Sequence, residues 1–276
     1  MIDLHIHTNA TPHHATWTPV ALAVAAAARG LTIIAVTDHN TTANVITTAM
    51  AGMHYGVQVV SGVEIDSAFG GKLWHTLVYG VDPEAPALLD LCAEVVQRNA
   101  ADAAQLMRDL PAAGFALPGL TDRDRPPTVA EVATTLAHHN DLPGRVPTES
   151  DEEAGMRFIL THFAAAYRPL GVDEIISVAH DLGGLAVLAH PGRAKGIYAI
   201  PATDDDLAAL AAIGLDGIEV YYPTHDAATR ERLLAAAARY GLLVSGGSDS
   251  HHPHQELATW RASDLSIVTR LRPIRG

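Results

Sequence analysis

Only one cysteine, Cys92, occurs in the 276 residues, so no intrachain disulfide can form and thiolate zinc clusters are excluded. Its place in an apolar helical pattern marks it as a packing residue. Basic charge is also scarce. Eighteen Lys and Arg stand against 31 Asp and Glu, a formal net charge of −13, which argues against a broad electrostatic grip on duplex nucleic acid. A small anionic substrate remains compatible with that balance if bound cations reverse the field locally. The opening MIDLHIH has neither the basic flank nor the apolar run of a signal peptide. The longest apolar stretch, Pro19 to Val36, is broken by Arg29 and Gly30, so no membrane span is expected and the cytoplasm is the expected location. Neither a nucleophile elbow nor a P-loop ending in GK[ST] is present.

What is present is an ordinary folded composition, 48% hydrophobic and 18% charged, arranged as alternating strands and helices. Ile2 to Ile6 reads as a strand. Thr18 and Pro19 then open a helix that Gly30 ends. Thr32 to Thr37 is a β-rich apolar run suited to a parallel strand covered on both faces. An Ala-rich helix follows, then strands over Val57 to Ser61 and Leu73 to Tyr79. The character changes near Pro83. Leu88, Cys92, Val95, Leu106 and Leu110 recur at helical spacing, Thr128 and Glu131 make a capping box, and a further helix runs from about Glu152 to Tyr167. No strand signal appears there, so residues 87–173 are expected to form a helical insertion between 1–86 and 174–276. The βα rhythm then resumes with strands over Leu185 to Ala189, Asp216 to Tyr221 and Leu242 to Ser245, alternating with helices from about Asp204 and Asp226. Repeated βα units predict a parallel barrel or a doubly wound sheet.

The chemistry-bearing residues fall where such sheets place active sites. His5 and His7 project to one side of the first strand. His39 follows TIIAVT, Glu64 follows VQVVSG, His190 ends LAVLA, and Asp249 and His251 follow LLVSGGS, while His75 lies inside a strand. Any one of these is more simply a hydrogen-bonded histidine or carboxylate. Their coincidence at the carboxyl ends of successive strands is not simple, because the loops there converge on one mouth. Imidazole and carboxylate without thiolate suit zinc, iron(II) or manganese(II), and so many donors suit two or three ions bridged by a carboxylate such as Glu64. Asp38 is expected to cap the next helix or to support a ligand, and Glu219 to be structural or supporting.

The strings DLHIHT, VTDHN, GVE, LAHPGR, GIEVYYP and GGSDSHHP, in that order and spacing, resemble the PHP (polymerase and histidinol phosphatase) family over residues 1–82 and 174–276. The resemblance implies an α/β fold, a distorted (β/α)7 barrel carrying the helical insertion, and three divalent metals. By that likeness His5, His7, Glu64 and Asp249 would bind one ion, Glu64, His75 and His190 a second, and His39 and His251 a third. The insertion is similar to that of the branch containing nucleoside 3′,5′-bisphosphate phosphatases and 5′–3′ exoribonucleases. In one place the chain departs from the family. An aspartate usually follows HxHT as a ligand of the third metal, whereas Asn9-Ala10-Thr11-Pro12-His13-His14 holds no carboxylate, which leaves His13 or His14 as possible substitutes.

Arg193 and Lys195 are placed beyond His190 to meet a phosphate, and His225 is a candidate phosphate contact or leaving-group acid. Asp249, His225 and Arg193 form the expected catalytic set. The expected enzyme is a phosphoesterase removing phosphate from AMP, a nucleoside 3′,5′-bisphosphate or short 5′-phosphorylated oligonucleotides through a metal-bridging hydroxide. A cyclic-phosphate phosphodiesterase, a histidinol or sugar phosphate phosphatase, and a non-catalytic metal-binding module are the alternatives.

Overall fold

The computed structural model describes residues 1–11, 15–120, 125–193 and 201–274. It divides into two compact units, one comprising Met1–Ala93, Leu170–Arg193 and Pro201–Gly276, the other including Glu94–Pro169.

In the first unit, β1 (Ile2–Ile6), β2 (Ile33–Val36) and β3 (Gln58–Phe69) are parallel. They are connected by α1 (Pro19–Ala28) and α2 (Val45–Tyr55). The Thr18 hydroxyl accepts from the Ala21 N–H, with Pro19 in the first turn of α1, as the residue types require. β4 (Lys72–Tyr79) returns antiparallel to β3 and pairs on its other side, again antiparallel, with β6 (Leu185–Leu188). β7 (Gly217–Tyr221) and β8 (Leu243–Gly246) continue in parallel. The short β5 (Leu170–Gly171) lies off this path, paired with β3. Beyond β8 the chain returns to β1. Asp249 N–H donates to the His5 carbonyl at 2.8 Å and His7 N–H to the Ser250 carbonyl at 2.9 Å, and these bonds close the sheet on itself. The α/β architecture expected from the sequence is borne out. Its reversed β4 is what distorts the otherwise parallel run.

Alternation along the strands sorts the core into two layers. Ala35 of β2 packs with Leu4, Val60, Leu77, Tyr79 and Val187 on one face. Ile34 and Val36 pack with Leu22, Ala26, Ala49 and Val59 on the face that α1 and α2 cover. Strands buried on both sides read as continuous apolar runs for this reason. α6 (Val172–Asp181), α7 (Asp204–Ala212) and α8 (Ala227–Tyr240) complete the helical set of this unit.

Three expectations need adjusting. β3 does not stop at Ser61 but runs through Glu64 to Phe69. The helix expected to reach Tyr167 is α5 (Asp151–His162), which gives way to a 3-10 turn over Ala164–Ala166. Asp38 caps no helix, since α2 starts after Asn44.

The second unit is helical, built on α3 (Pro86–Ala112) from Glu94 onward, α4 (Val129–His139) and α5. The Thr128–Glu131 capping box is present, and Ser150–Glu153 makes another. Gly155 allows close approach, because a Cβ there would overlap the Ala133 backbone. Cys92, near the start of α3, is buried, and burial pushes its thiol pKa up to about 12, which suits packing and not reactivity.

Candidate metal centre

Every expected metal-binding residue lies in the first unit, and five of the histidines converge on one carboxylate. Glu64, 1% exposed, sits mid-strand in β3 with its two oxygens facing opposite ways. Oε2 lies 3.3 Å from His5 Nε2, 3.2 Å from His7 Nε2 and 3.3 Å from His39 Nδ1. Oε1 lies 3.0 Å from His75 Nδ1 and 3.3 Å from His190 Nε2. His75 reaches this point because β4 runs backwards, so its amino-terminal half meets the edge where the parallel strands end. Asp249 extends the cluster, with Oδ1 3.1 Å from His7 Nε2 and 3.5 Å from His5 Nε2. The His251 ring stacks on His7 with centroids 4.1 Å apart.

Backbone conformation helps to aim these groups. The described non-glycine residues with positive φ are Asn40 (54°), His190 (33°) and Asp249 (55°), each in a loop that delivers or flanks a candidate ligand. Such conformations cost about 1–3 kcal/mol each and persist where surrounding structure imposes them. At Gly247 a Cβ would overlap His5, so a side chain there would displace the histidine.

Hydrogen bonding at the outer ring nitrogens assigns the tautomers. His5 Nδ1 meets both Glu219 oxygens at 3.2 and 3.3 Å. His7 Nδ1 meets Thr11 Oγ1 at 3.2 Å, and that hydroxyl donates to Asp38 at 2.6 Å. His251 Nδ1 donates to the Asp249 carbonyl at 2.8 Å. Each proton is thereby held on the outer nitrogen, and the Nε2 lone pairs of His5 and His7 are turned inward. Those two atoms stand 3.1 Å apart beside two carboxylate oxygens. Two facing lone pairs in a buried acidic pocket are satisfied by a shared cation, whether a proton or a metal ion. The donor set therefore fits divalent metal.

Electrostatics agrees. Burial opposes charge on His7, but Asp249 and Glu64 outweigh it and raise its pKa to about 9; His5 is raised well above its ordinary value in the same way. These carboxylates would hold a metal ion as they hold a proton. His251 is lowered to about 4, by burial and then by the charge of His7, while His39 and His190 are also lowered, chiefly by burial. Neutral imidazoles are the form that ligates.

Among the described residues three groups bring their donor atoms within 4.8 Å of one another: His5, His7, Glu64 and Asp249; His39, Glu64 and His75; and His7, His39 and His251. The first matches the set implied by the family likeness. In the second His39 stands where His190 was expected, although His190 also faces Glu64. In the third His7 joins His39 and His251.

Sequence reasoning overlooked two residues. Asp66 follows Glu64 by two on β3, directly opposite His75. Its Oδ1 lies 3.4 Å from His75 Nε2 and 3.8 Å from His39 Nδ1, while Oδ2 accepts from Asn40 Nδ2 at 3.1 Å. It is thus placed to hold the His75 proton on Nε2 and leave Nδ1 facing Glu64. The Tyr222 hydroxyl donates to Asp249 Oδ2 at 2.9 Å, leaving Oδ1 for the cluster. Burial, then Asp249, raises the phenol's pKa above its ordinary value, which suits a hydrogen-bond donor. Strand alternation at GVEID and the second tyrosine of GIEVYYP were the available signals. Asp38 and Glu219 both stand behind candidate ligands. Asp38 accepts from Thr8 and Thr11, and Glu219 also accepts from the His190 N–H at 2.8 Å.

The substrate contacts divide. Arg193 is part-exposed beside the cluster, its Nη1 3.9 Å from Asp249 Oδ2. His225 is buried with both ring nitrogens on the backbone: Nδ1 meets the Val220 carbonyl at 2.9 Å and Nε2 accepts from Gly192 N–H at 3.1 Å. In this state it anchors the loop carrying Arg193 and offers no free proton. Lys195, His13 and His14 lie outside the described residues. His252 and His254 stack on each other at 5.1 Å, apart from the three donor groups.

Residues 3–97 match the model of the PHP domain. A phosphoribosyl 1,2-cyclic phosphate 1,2-diphosphodiesterase of Eggerthella lenta is 32% identical over 263 residues, covering 90% of this chain and 93% of that protein. The chain belongs to the PHP family. A second relative, the 3′,5′-nucleoside bisphosphate phosphatase of Chromobacterium violaceum, is 30% identical over 262 residues, covering 91% of this chain and 87% of that one. Among solved structures, an amidohydrolase from Chromobacterium violaceum with bound sulfate and no metal superposes with a TM-score of 0.73 at 27% identity, over 99% of this chain and 97% of the other. Within the PHP family this chain is a hydrolase of phosphate esters.

Proposed function

We propose that this PHP-family hydrolase removes phosphate from small nucleotides such as AMP or a nucleoside 3′,5′-bisphosphate, with His5, His7, His39, Glu64, His75, His190, Asp249 and His251 holding two or three divalent ions, manganese, iron or zinc. The reading rests on one observation above all: imidazoles and carboxylates surround Glu64 with the protons of His5, His7 and His251 held on the outer side of the rings. Divalent ions bound there would supply Lewis-acid charge neutralisation and an acidified water.

The protein's own groups do the rest. Arg193 grips the phosphate oxygens, bidentate where geometry allows. Its loop is fixed by the His225 ring through Gly192 N–H, so the guanidinium meets the substrate already oriented. Tyr222 keeps Asp249 split between its two duties. Glu219, Asp38 and Asp66 stop the imidazoles from rotating out of alignment. The similarity to the bisphosphate phosphatase supports a nucleotide substrate. The comparable likeness to the cyclic phosphodiesterase favours cyclic ribose phosphate as a second reading.

The deciding experiment incubates manganese-loaded protein with AMP, adenosine 3′,5′-bisphosphate, a ribose 1,2-cyclic phosphate, histidinol phosphate and a 5′-phosphorylated dinucleotide. Phosphate release, or ring opening of the cyclic ester, is followed alongside His190→Ala and Asp249→Ala. The expected result is turnover of a nucleotide monoester that both variants lose. Preference for the cyclic ester would install the second reading, and equal background rates in all three proteins would remove the catalytic one.

A further inference from the structure

Formal charge is distributed very unevenly along this chain. Residues 1–63 hold only Asp3, Arg29 and Asp38 among the 18 basic and 31 acidic side chains. Asp3 and Asp38 are fully buried, so the surface built by this stretch carries one formal charge, Arg29, which itself faces Glu256 at 3.7 Å. α1 has no charged residue, and α2 has only His54 and Tyr55 as titratable groups.

Apolar exposure is concentrated in the same place. Seven of the twelve large apolar side chains exposed among the described residues fall within residues 1–55. Val20 and Val24 recur at i and i+4 on α1, and Ile46, Met50 and Met53 at i, i+4 and i+7 on α2, so each set forms a stripe along one helix face. Met50 is 64% exposed, Met53 55% and Val20 54%. The inner faces of these helices are filled by Leu22, Ala26 and Ala49, so the stripes have no task in the core. α1 and α2 also pack on each other, which makes the two stripes neighbours.

We propose that this face is the interface of a two-fold homodimer of the chain. Charge selects the occupant. Two copies that each carry −13 repel one another wherever their acids face across a gap. The α1–α2 face has no acid of its own on either helix, and a neutral face is complementary to itself, as an isologous contact demands. An unrelated charged partner would find almost nothing here to pair with. Depletion of charge with enrichment in methionine and β-branched residues is also the composition of homodimer interface centres. Such a dimer closes at two copies.

Sedimentation equilibrium of the full chain from about 1 to about 100 μM tests this. The expected parent is a reversible dimer that grows no further. It tightens as salt rises, because salt screens the residual repulsion and there are no interfacial ion pairs to weaken. Met50→Glu/Met53→Glu on α2, and separately Val20→Glu on α1, should each weaken association by about 100-fold or more, with melting curves like the parent's at dilutions where both are monomeric, because the changed residues are exposed. Leu234→Glu, an exposed change on α8, should leave the dimer intact. A monomeric parent, a dimer indifferent to both sets of changes, disruption by Leu234→Glu, or growth beyond two copies would each overturn the proposal. Flotation of a monomeric parent with neutral phosphatidylcholine vesicles would assign the face to lipid instead.

Discussion

Histidine and carboxylate occur in both compact units, yet they perform opposite tasks. In the helical unit the acids are answered by guanidinium groups at or near the surface. Asp151 stands between Arg145 and His138, Glu149 accepts two bonds from Arg157 at 2.7 and 2.9 Å, and buried Asp102 takes the Arg168 side chain at 2.9 Å together with its backbone N–H at 2.7 Å. In the sheet unit Glu64 and Asp249 are enclosed by imidazoles, and the approach of Arg193 to Asp249 stops at 3.9 Å. Pairing with arginine neutralises an acid permanently and leaves nothing to exchange. Pairing with imidazole, which can give up its proton, leaves a pocket that can exchange that proton for another cation. The choice of partner separates scaffold from site.

The strongest way to break this comparison is at Glu64. Glu64→Gln keeps the shape and removes the charge shared by five imidazoles, so phosphate-ester turnover should fall by about three orders of magnitude or more. Bound divalent metal, counted by mass spectrometry, should fall with it. Unchanged metal content would mean that the pocket does not depend on its central acid. The supporting residues give a smaller effect. Asp66→Asn and Tyr222→Phe each disturb the orientation of a ligand without removing one, and calorimetric titration with manganese should show affinity reduced by about 10–100-fold.

In the helical unit the same chemistry should register as stability alone. Asp102→Ala strands the Arg168 N–H and should destabilise by about 1–3 kcal/mol in urea unfolding, with manganese affinity unaltered. Glu149→Gln should cost less than about 1 kcal/mol, because the pair is solvent-screened. Its sign follows from the Arg157 hydrogen bond, which lowers the carboxyl from 4.5 to about 2. The contribution is present in full above pH 4.5 and is lost as pH falls toward about 2. Parent and variant should therefore differ at neutral pH and converge in acid.

Much of this molecule was legible before its coordinates. Thr18, Pro19 and Gly30 frame α1 because their backbone preferences are local, and the capping box at Thr128 is read in the same way. Most of the candidate ligand histidines stood out because they fall at the ends of apolar runs, His5 and His75 lying within strands instead. The extent of β3 was hidden, since Ser61-Gly62 reads as a turn while the pairing of Gly62 through Phe69 with β4 overrides it. The direction of β4 is equally invisible in its composition. Asp66 and Tyr222 escaped notice because their importance comes from partners distant in sequence, Tyr222 lying 27 residues from Asp249. His225 looked like an acid in the string and becomes an anchor only once Gly192 is seen beside it.

His190 and Asp249 each occupy a left-handed backbone conformation that glycine would enter more readily. Natural drift toward a relaxed main chain at either position would trade a candidate metal donor for a hydrogen atom, and the protein that resulted is expected to be sturdier and less active. These loops are therefore poor ground for stabilising engineering: two dihedral angles record how far this fold has leaned away from its own best-folded sequence in order to keep its chemistry.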